Sequence, residues 1–277
     1  MQDIANRNIT PEAVARFAWL HMSLDDGSDL LPADHHMLWL KLICNSDLKR
    51  ILIIAPPESA KTTWSIAYLA ASIAFDCELP RIIAAVTETV AEKRATSVRN
   101  VCTSDEFVRN FPNIRRAISL KWTASEWSLA PEGVPRPGRV HPTMMATGVG
   151  GTIISTRAYE LLADDLLDLD STRTQLQRDK TDTWVHAEML SRVMSRIGRT
   201  IVIGTSWHHD DSYSRIKANY NNWTVCHLPL LSEGPDVRAL VTYPDTYTGP
   251  KLGEPITEAS ARDMSSDLDG INTAYIG

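Results

Sequence analysis

The sequence lacks any apolar run that approaches the ~20 residues needed to span a bilayer. The longest such run, residues 64–75, is short and contains serines. The four cysteines lie far apart and form no CxxC pair, so neither a disulfide framework nor a zinc site is indicated. Internal repeats and low-complexity tracts are also missing. These absences exclude membrane-spanning, disulfide-stapled and repeat proteins, and we expect reduced thiols and no membrane partner.

The chain has 277 residues, of which 43% are hydrophobic and 22% are charged, values that are typical of globular proteins. Its formal net charge of −6 would by itself argue against a nucleic-acid partner. Residues 231–277, however, carry eight acidic and three basic side chains, so the first 230 residues have a net charge of only −1. The charge of the chain therefore does not exclude nucleic acid.

Strand-like and helix-like segments alternate through most of the sequence. Apolar runs predict buried strands at residues 51–55, 81–86, 158–163, 200–204 and 223–228. Helices are predicted at residues 62–75, 90–101, 185–197 and 212–218, with irregular loops and short strands over residues 111–151. The alternation predicts an α/β fold with a mostly parallel sheet and helices on both faces.

The helix predicted at residues 185–197 has the clearest periodicity. Val185, Met189, Val193 and Ile197 recur at intervals of four, and Gly198 follows as a stop signal.

The first candidate site follows the strand at residues 51–55, and its residues are Ala55, Pro56, Pro57, Glu58, Ser59, Ala60, Lys61, Thr62 and Thr63. A turn between a buried strand and a helix is the placement of a P-loop, whose backbone N–H groups face the phosphates of a nucleotide. Lys61 would then reach the β- and γ-phosphates, and the Thr62 hydroxyl would ligate Mg²⁺. Ala55 and Ala60 replace both glycines of the GxxxxGK[ST] pattern, and alanine resists positive φ. An ordinary strand-to-helix turn with one exposed lysine explains the loop alone equally well.

The second candidate is the pair Asp164 and Asp165, at the end of the strand at residues 158–163. In P-loop ATPases, the first acid of such a pair orients the Mg²⁺ hydration shell and the second polarises the attacking water. We therefore assign the metal role to Asp164 and the water role to Asp165. The alternative is a surface turn rich in aspartate, because Asp168 and Asp170 follow. The two motifs in this order favour an ATPase.

The third candidate is the polar turn Thr205-Ser206-Trp207-His208-His209-Asp210-Asp211, at the edge where open α/β sheets bind ligands. Its last four residues, together with Asp164, are potential metal ligands. Adjacent residues rarely point at one ion, however, and no helical His-x-x-x-His spacing is present. Asp210 alternatively caps the helix at residues 212–218. A metal site is the weaker alternative here.

Five segments, in the correct order, resemble the N-terminal ATPase domain of the large terminase subunit of tailed double-stranded-DNA phages. Residues 56–63 are similar to its PPGSAKST phosphate loop, in which alanine also precedes the lysine. Residues 148–158 look like its GVGG-x-I…RRA segment, and residues 162–165 look like its IIDD ending. Residues 205–211 resemble its TRWH-x-DD motif, and residues 223–229 resemble its W…LP segment. The resemblance spans roughly residues 31–230.

The resemblance implies a P-loop NTPase fold of the ASCE, RecA-like type and a motor that uses ATP and Mg²⁺. Members drive double-stranded phage DNA through the portal protein into an empty capsid, in the cytoplasm of the bacterial host. The implied partners are the DNA, the portal protein, the small terminase subunit and further copies in a ring, with a monomer as the alternative in isolation. Thr205, Ser206, Trp207 and His208 are implied to couple hydrolysis to movement.

The resemblance also implies a domain organisation. We expect residues 1–230 to form the ATPase domain, with a helical segment at 1–50 and a core at 51–230, and residues 231–277 to form an acidic linker or tail. The family carries a C-terminal nuclease domain, whereas only about 48 residues follow Pro229. We therefore expect no nuclease activity from this chain.

The sequence departs from the family pattern at two positions. Phosphate loops of the family often carry an arginine, whereas this chain has Glu58 instead, and Ser206 replaces the arginine of the TRWH motif. An arginine that stabilises transition-state charge must then come from elsewhere, in cis or from a neighbouring subunit. The candidates are Arg94, Arg99 and Arg157, and a solvated surface arginine is the alternative for each.

Two further segments are candidates for contacts with ligands. His35 and His36 precede the phosphate strand where the family contacts adenine, with helix capping or core packing as the alternative. Residues 81–116 carry seven basic and four acidic side chains and are the candidate surface for DNA, with a solvated helix face as the alternative.

Three other functions stay open at this point. They are a helicase- or recombinase-type ATPase on the same core, a metal-dependent hydrolase that uses His208 to Asp211 with Asp164, and a binding module with a decayed nucleotide site. The last is suggested by the residues at positions 55, 58, 60 and 206.

Overall fold

A computed structural model describes residues 9–24, 26–151, 153, 156–228, 240–249 and 251. Within these residues the helices are Pro11–His21 (α1), Asp34–Cys44 (α2), Lys61–Phe75 (α3), Glu88–Cys102 (α4), Asp105–Asn110 (α5), Leu169–Thr172 (α6), Gln175–Thr183 (α7) and Ser212–Asn219 (α8). The strands are Arg50–Ile54 (β1), Arg81–Ala85 (β2), Ile114–Arg116 (β3), Glu126–Trp127 (β4), Leu129–Pro131 (β5), Met144–Gly148 (β6), Glu160–Asp164 (β7), Arg199–Gly204 (β8), Thr224–His227 (β9) and Leu240–Thr242 (β10).

Eight of these strands form one sheet, in the order β10-β9-β1-β8-β7-β2-β6-β4. The six strands from β9 to β6 run parallel, and β10 and β4 join as antiparallel edge strands. β3 and β5 form a separate antiparallel ribbon. The mostly parallel α/β sheet predicted from the sequence is confirmed.

The inner strands are buried on both faces, as their continuous apolar runs predict. Every residue of β2, β7 and β8 is buried. Alternate strand residues, such as Leu161 and Val202, pack against two helical segments. Trp184 of the turn after α7 and Tyr213 and Ile216 of α8 provide the contacts. Helices α3 and α4 pack against β7, β2 and β6. The core is therefore a sheet between two layers of helical segments.

Most predicted elements lie within two residues of their observed bounds. α1 and α2 lie in the segment at 1–50 for which a helical structure is predicted. The strand predicted at residues 158–163 is displaced, because β7 begins at Glu160 and includes Asp164. Ala158 instead makes an isolated parallel bridge with Val193.

The helix predicted at residues 185–197 is wrong in its bounds. The observed helix α7 begins after the cap residue Thr174 and continues as a π-helical turn, Trp184–Met189, and a 3₁₀ turn, Leu190–Arg192. Val193 is extended, because the backbone on either side of it bonds to Ala158. The four-residue spacing therefore does not belong to one helix. Val185 and Met189 lie in the helical segment and face the core, whereas Val193 and Ile197 lie beyond its end.

Strand β10 lies in the segment predicted as an acidic tail and pairs with β9, so the sheet extends beyond residue 230. A second unit begins at Asp245, of which the structure describes residues 245–249 and 251, without a helix or a strand. In the described part of the chain, no helix is long and apolar enough to cross a membrane.

Candidate active site

Three neighbouring parallel strands bring the predicted site residues to one edge of the sheet. β8 lies between β1 and β7, so the phosphate loop, the paired carboxylates and the turn after Gly204 all follow carboxyl ends of adjacent strands. Backbone hydrogen bonds extend this registry, because Ala55 N–H donates to Gly204 O and Asp165 N–H donates to Ile203 O. Open α/β sheets bind ligands at this edge.

The predicted phosphate loop, residues 55–63, contains left-handed residues although it lacks glycine. Glu58 and Ala60 adopt positive φ angles of 60° and 56°, and Ala60 directly precedes α3. A left-handed conformation costs an alanine about 1–2 kcal/mol. The Lys61 ammonium is buried and donates from Nζ to Pro56 O over 2.7 Å, and this burial lowers the pKa of Lys61. Lys61 therefore lies against the loop rather than exposed to solvent.

Thr62 and Asp164 join the phosphate loop to the carboxylate strand. The Thr62 hydroxyl donates to Asp164 Oδ2 over 2.8 Å, and Ser65 Oγ lies 3.4 Å from Oδ1. The Arg94 Nε lies 3.0 Å from Oδ2 and forms an ion pair with this carboxylate. Asp164 is 0% exposed. Burial, and next the charge of Asp165, raise the pKa of Asp164, whereas Thr62 and Arg94 lower it.

Asp165 is held by the end of β8. Its φ is 50°, and its Oδ1 accepts the Thr205 backbone N–H over 3.2 Å. The Thr205 hydroxyl donates to Ala55 O over 3.1 Å. Thr205 thus contacts both Asp165, the carboxylate predicted to polarise the attacking water, and Ala55, the first residue of the predicted phosphate loop.

The rest of the turn is organised by Asp211. Its Oδ2 accepts hydrogen bonds from Ser206 Oγ and from the backbone N–H groups of Trp207 and His208. Its Oδ1 accepts the Ser214 N–H over 2.8 Å, so Asp211 is the N-cap of α8. The turn is therefore fixed by one buried carboxylate.

The prediction that Asp210 caps this helix is wrong. Asp210 instead forms ion pairs with Arg215, at 2.8 Å, and Arg178, at 3.4 Å. The hydrogen bond from Arg215 holds the pKa of Asp210 well below its usual value.

A cavity of about 430 Å³ opens over these groups. The phosphate-loop residues that line it are Pro57, Glu58, Ala60, Lys61, Thr62 and Thr63. Arg94, Asp165, Thr205 and Trp207 complete the predicted residues in its wall. Val86, Val90, Leu167 and Asp168 also line the cavity and were not predicted as site residues. The first three are apolar positions that do not differ in sequence from core positions.

Another open groove, of about 480 Å³, runs along α7 and the turn that follows it. Its walls contain none of the predicted site residues, and we therefore place the chemistry in the cavity over the phosphate loop.

Several predicted residues lie outside the cavity. Arg99 donates to Thr123 O over 2.7 Å, and Arg157 donates to Ser191 O over 2.9 Å, so only Arg94 of the three arginines reaches the site. Ser59 donates back to Pro56 O. Ser206 and His208 are likewise absent from the cavity wall.

His36 contacts the phosphate loop at Ser59. Its Nδ1 accepts the Ala33 N–H at the start of α2, and its Nε2 lies 3.0 Å from Ser59 O, which requires the tautomer protonated at Nε2. The ring packs against Trp64 with 5.2 Å between centroids. Burial lowers the pKa of His36 to about 4. The structure therefore shows His36 in helix capping and core packing.

The oxygen atoms at the loop and the carboxylate strand fit Mg²⁺. This ion takes one or two carboxylates and completes its shell with water and phosphate, and Thr62 Oγ1 and Asp164 Oδ2 supply hard oxygen ligands side by side. A group of three or more metal-ligating side chains does not occur among the described residues. The alternative cluster at residues 208–211 is otherwise engaged, because Asp210 pairs with arginines and Asp211 caps α8.

No protein-family model and no curated protein matches the chain. Its structure is similar to that of the large terminase of bacteriophage HK97, over 81% of this chain, with 15% identity and a TM-score of 0.49. It is also similar to an S. cerevisiae Dbp5 variant bound to Nup159, a Gle1 variant, IP6 and ADP, over 71% of this chain, with 11% identity and a TM-score of 0.41. The chain spans about half of each of those proteins, 46% and 48%.

The predicted α/β fold with a mostly parallel sheet is confirmed. Within the sheet one strand, β8, separates β1, which precedes the predicted phosphate loop, from β7, which ends in the paired carboxylates.

Proposed function

We propose that this chain is a P-loop ATPase that binds ATP in the cavity and hydrolyses it with Mg²⁺. The hydrogen bond between Thr62 Oγ1 and Asp164 Oδ2 carries the proposal, because it joins two motifs that lie 102 positions apart in the sequence. An aspartate-rich surface turn, the alternative explanation of the pair, does not fit a carboxylate that is fully buried. The loop and the carboxylates form one site.

The phosphates of ATP would lie at the N-terminus of α3. The positive φ angles at Glu58 and Ala60 turn the loop so that the first turn of α3 faces the cavity. Unpaired N–H groups and the helix dipole at such an N-terminus favour anions. The Lys61 ammonium would exchange its bond to Pro56 O for the β- and γ-phosphates, where it neutralises charge.

Thr62 and Asp164 would hold the metal ion. When bound, Mg²⁺ neutralises the charge of the phosphate oxygens. A cation next to Asp164 also favours its ionised form, which burial and Asp165 otherwise disfavour. A bound cation would therefore stabilise the ionised form of the buried Asp164, which agrees with the metal-binding role assigned to it.

Asp165 would orient and polarise the attacking water. Its carboxylate lines the cavity, and the Thr205 N–H fixes one oxygen, so the other oxygen is available for the water. Arg94 would supply positive charge to the transition state, because it lines the cavity whereas Arg99 and Arg157 do not. Phosphoryl transfer depends mainly on such positioning and charge.

We further propose that the ATPase is a terminase-type motor that translocates double-stranded phage DNA. Five ordered motifs support this proposal, together with the contacts by which Thr205 joins Asp165 to the phosphate loop. A change at the γ-phosphate would reach the turn at residues 205–208 through this residue. The proposed partners are the DNA, the portal protein, the small terminase subunit and further copies of the chain in a ring, in the host cytoplasm.

ATP turnover of the purified chain, with and without DNA, tests the enzyme assignment. We expect Mg²⁺-dependent turnover that Lys61→Ala abolishes while the fold remains intact. Lys93→Ala is the matched control, because Lys93 is exposed on α4 and does not line the cavity. Normal hydrolysis by Lys61→Ala would show that the site is misassigned. Failure of the unaltered chain to bind any ATP would instead favour a binding module.

Two further measurements distinguish the packaging motor from a helicase and from a metal-dependent hydrolase. Strand separation without a portal would favour a helicase-type ATPase over a packaging motor. Tight metal binding without nucleotide, lost in His208→Ala, would favour the metal-dependent hydrolase.

A further inference from the structure

A basic surface lies outside the cavity, around Trp122. Two guanidinium groups lie over its indole ring, that of Arg99 at 5.4 Å and that of Arg116 at 5.0 Å from the ring centroid. Lys121 precedes the tryptophan in the chain and is exposed. We call these four residues the Trp122 surface.

The two arginines of this surface are not neutralised by carboxylates. Neither Arg99 nor Arg116 forms an ion pair within the part of the chain that the structure describes. Lys121, in contrast, pairs with Glu126 at 3.0 Å. The positive charge of the surface therefore comes from the arginines.

The tryptophan holds both guanidinium groups in place. Stacking on an aromatic ring leaves the edge N–H groups of a guanidinium open to other partners, and a planar guanidinium suits phosphate oxygens. Arg99 is fixed further by its bond from Nη1 to Thr123 O, and Arg116 is exposed on β3. Arg99 and Arg116 are thus two cations held at one aromatic ring.

We propose that the Trp122 surface binds the phosphate backbone of double-stranded DNA. Single strands are bound on aromatic rings that are open for base stacking. The Trp122 ring is instead covered by Arg99 and Arg116 and also packs against Trp127 at 6.1 Å, which favours backbone contacts without base contacts. This inference rests on the proposed function, since it names where the motor would contact its DNA.

The surface is connected to the cavity through helix α4. Arg94 and Arg99 lie on this helix, the first beside Asp164 and the second over Trp122. A displacement of α4 when Arg94 changes partner would therefore also move one of the two DNA-binding arginines.

Salt-dependent binding of a mixed-sequence DNA duplex by the nucleotide-free chain tests the proposal. Each phosphate contact contributes about 0.9 to the slope of log Kobs against log salt concentration for duplex DNA. We expect Arg116→Gln to reduce the slope by about 0.9, and Arg116→Gln combined with Arg99→Gln to reduce it by about 1.8. Arg116→Lys keeps the charge and should keep most of the slope.

Arg115→Gln is the matched control. Arg115 has the same charge, lies on the same strand and is exposed, but successive residues of a strand point to opposite faces. An unchanged slope in Arg115→Gln would support the proposal if Arg116→Gln reduces it. Equal reductions in both variants would overturn the proposal, since they would indicate diffuse attraction.

Three other results would also overturn it. They are absence of duplex binding, an unchanged slope in the folded double variant, and a slope change seen with single strands alone. Circular dichroism and thermal unfolding establish that each variant is folded. Failure of the ATPase assignment is distinguishable, because Lys61→Ala should lose turnover and keep the full salt slope.

Discussion

Arg94 Nε and the Thr62 hydroxyl meet at the same oxygen, Asp164 Oδ2, at 3.0 and 2.8 Å. A buried carboxylate requires a compensating charge, and Arg94 supplies it in the described arrangement. A metal ion at the same oxygen would take over that compensation. Arg94 would then be released toward the phosphates in the cavity.

Arg94→Gln should reduce kcat about 10³-fold or more, as expected for a transition-state arginine. It should also destabilise the nucleotide-free protein by about 1–2 kcal/mol, because Asp164 loses its counter-charge while Arg94 is partly exposed. Urea unfolding with and without Mg²⁺ checks the second effect, and the loss should shrink when Mg²⁺ is present. Lys93→Gln removes a neighbouring exposed charge as the control. A loss of stability that Mg²⁺ does not change would contradict the exchange of charges at Asp164.

Asp165→Asn should stop hydrolysis and leave ATP binding in place. An amide cannot accept a proton from water, whereas the loop and Lys61 still hold the phosphates, so kcat should fall about 10²–10⁴-fold with a nearly unchanged Kd. Fluorescent ATP analogues measure the Kd. Asp168→Asn is the control, because Asp168 also lines the cavity but its side chain caps α6. Lost nucleotide binding in Asp165→Asn would assign a structural role to the carboxylate.

Ala60→Gly should stabilise the protein by about 1 kcal/mol. Glycine adopts the left-handed conformation of position 60 without the steric cost that alanine carries, although it adds entropy to the unfolded chain. Chemical denaturation measures the free energy of unfolding. Ala70→Gly, in the interior of α3, should instead destabilise by about 1 kcal/mol. If Ala60→Gly destabilises as Ala70→Gly does, the conformation at position 60 is not left-handed.

The stability of the protein should fall between pH 6.5 and pH 4 because of His36. Its pKa is lowered from 6.5 to about 4 by burial, so the unfolded chain takes up the proton at higher pH than the folded protein. Above pH 6.5 His36 is neutral in both states and does not lower the free energy of unfolding. At pH 5 its protonation in the unfolded chain lowers the free energy of unfolding by about 2 kcal/mol. Protonation also removes the Nδ1 acceptor for Ala33 N–H.

His36→Gln should flatten this part of the pH profile, as measured by thermal unfolding at several pH values. His141→Gln is the comparison, because burial also lowers the pKa of His141, which lies in the loop before β6 rather than in α2. An unchanged profile in His36→Gln would mean that another group titrates in this range.

The parallel sheet and the phosphate loop could be predicted because their signals are local. Continuous apolar runs are typical of strands buried between two layers, and Lys61-Thr62 follows one such run after a turn of five residues. The hydrogen bond between Thr62 and Asp164 depends on the order of strands in the sheet, which the spacing of the motifs alone does not give. The curvature at Ala60 was unexpected from sequence, because the surrounding fold imposes a conformation that alanine disfavours.

Other features were missed, either because a local signal was overlooked or because they depend on contacts between distant residues. Helix α7 has no apolar face, since its single apolar residue, Leu176, is exposed, and hydrophobic periodicity therefore did not predict it. Thr174 and Gln177 nevertheless form a capping box that marks its start. The support of Ser59 by His36 joins two elements on either side of β1. Distinguishing Arg94 from Arg99 required the direction in which each side chain leaves α4.

The spacing of Arg94 and Arg99 on α4 has a consequence for sequence change in this helix. Five residues rotate an α-helix by about 140° beyond a full turn and advance it about 7.5 Å, which sends one arginine to Asp164 and the other to Trp122. A single insertion or deletion between them would rotate one side chain by about 100° relative to the other. Such a change would uncouple the two ends of the helix even if every residue that contacts ATP or DNA were retained. Substitutions at the half-buried Thr96 and Ser97 should therefore be tolerated far better than any change in the number of residues between the two arginines.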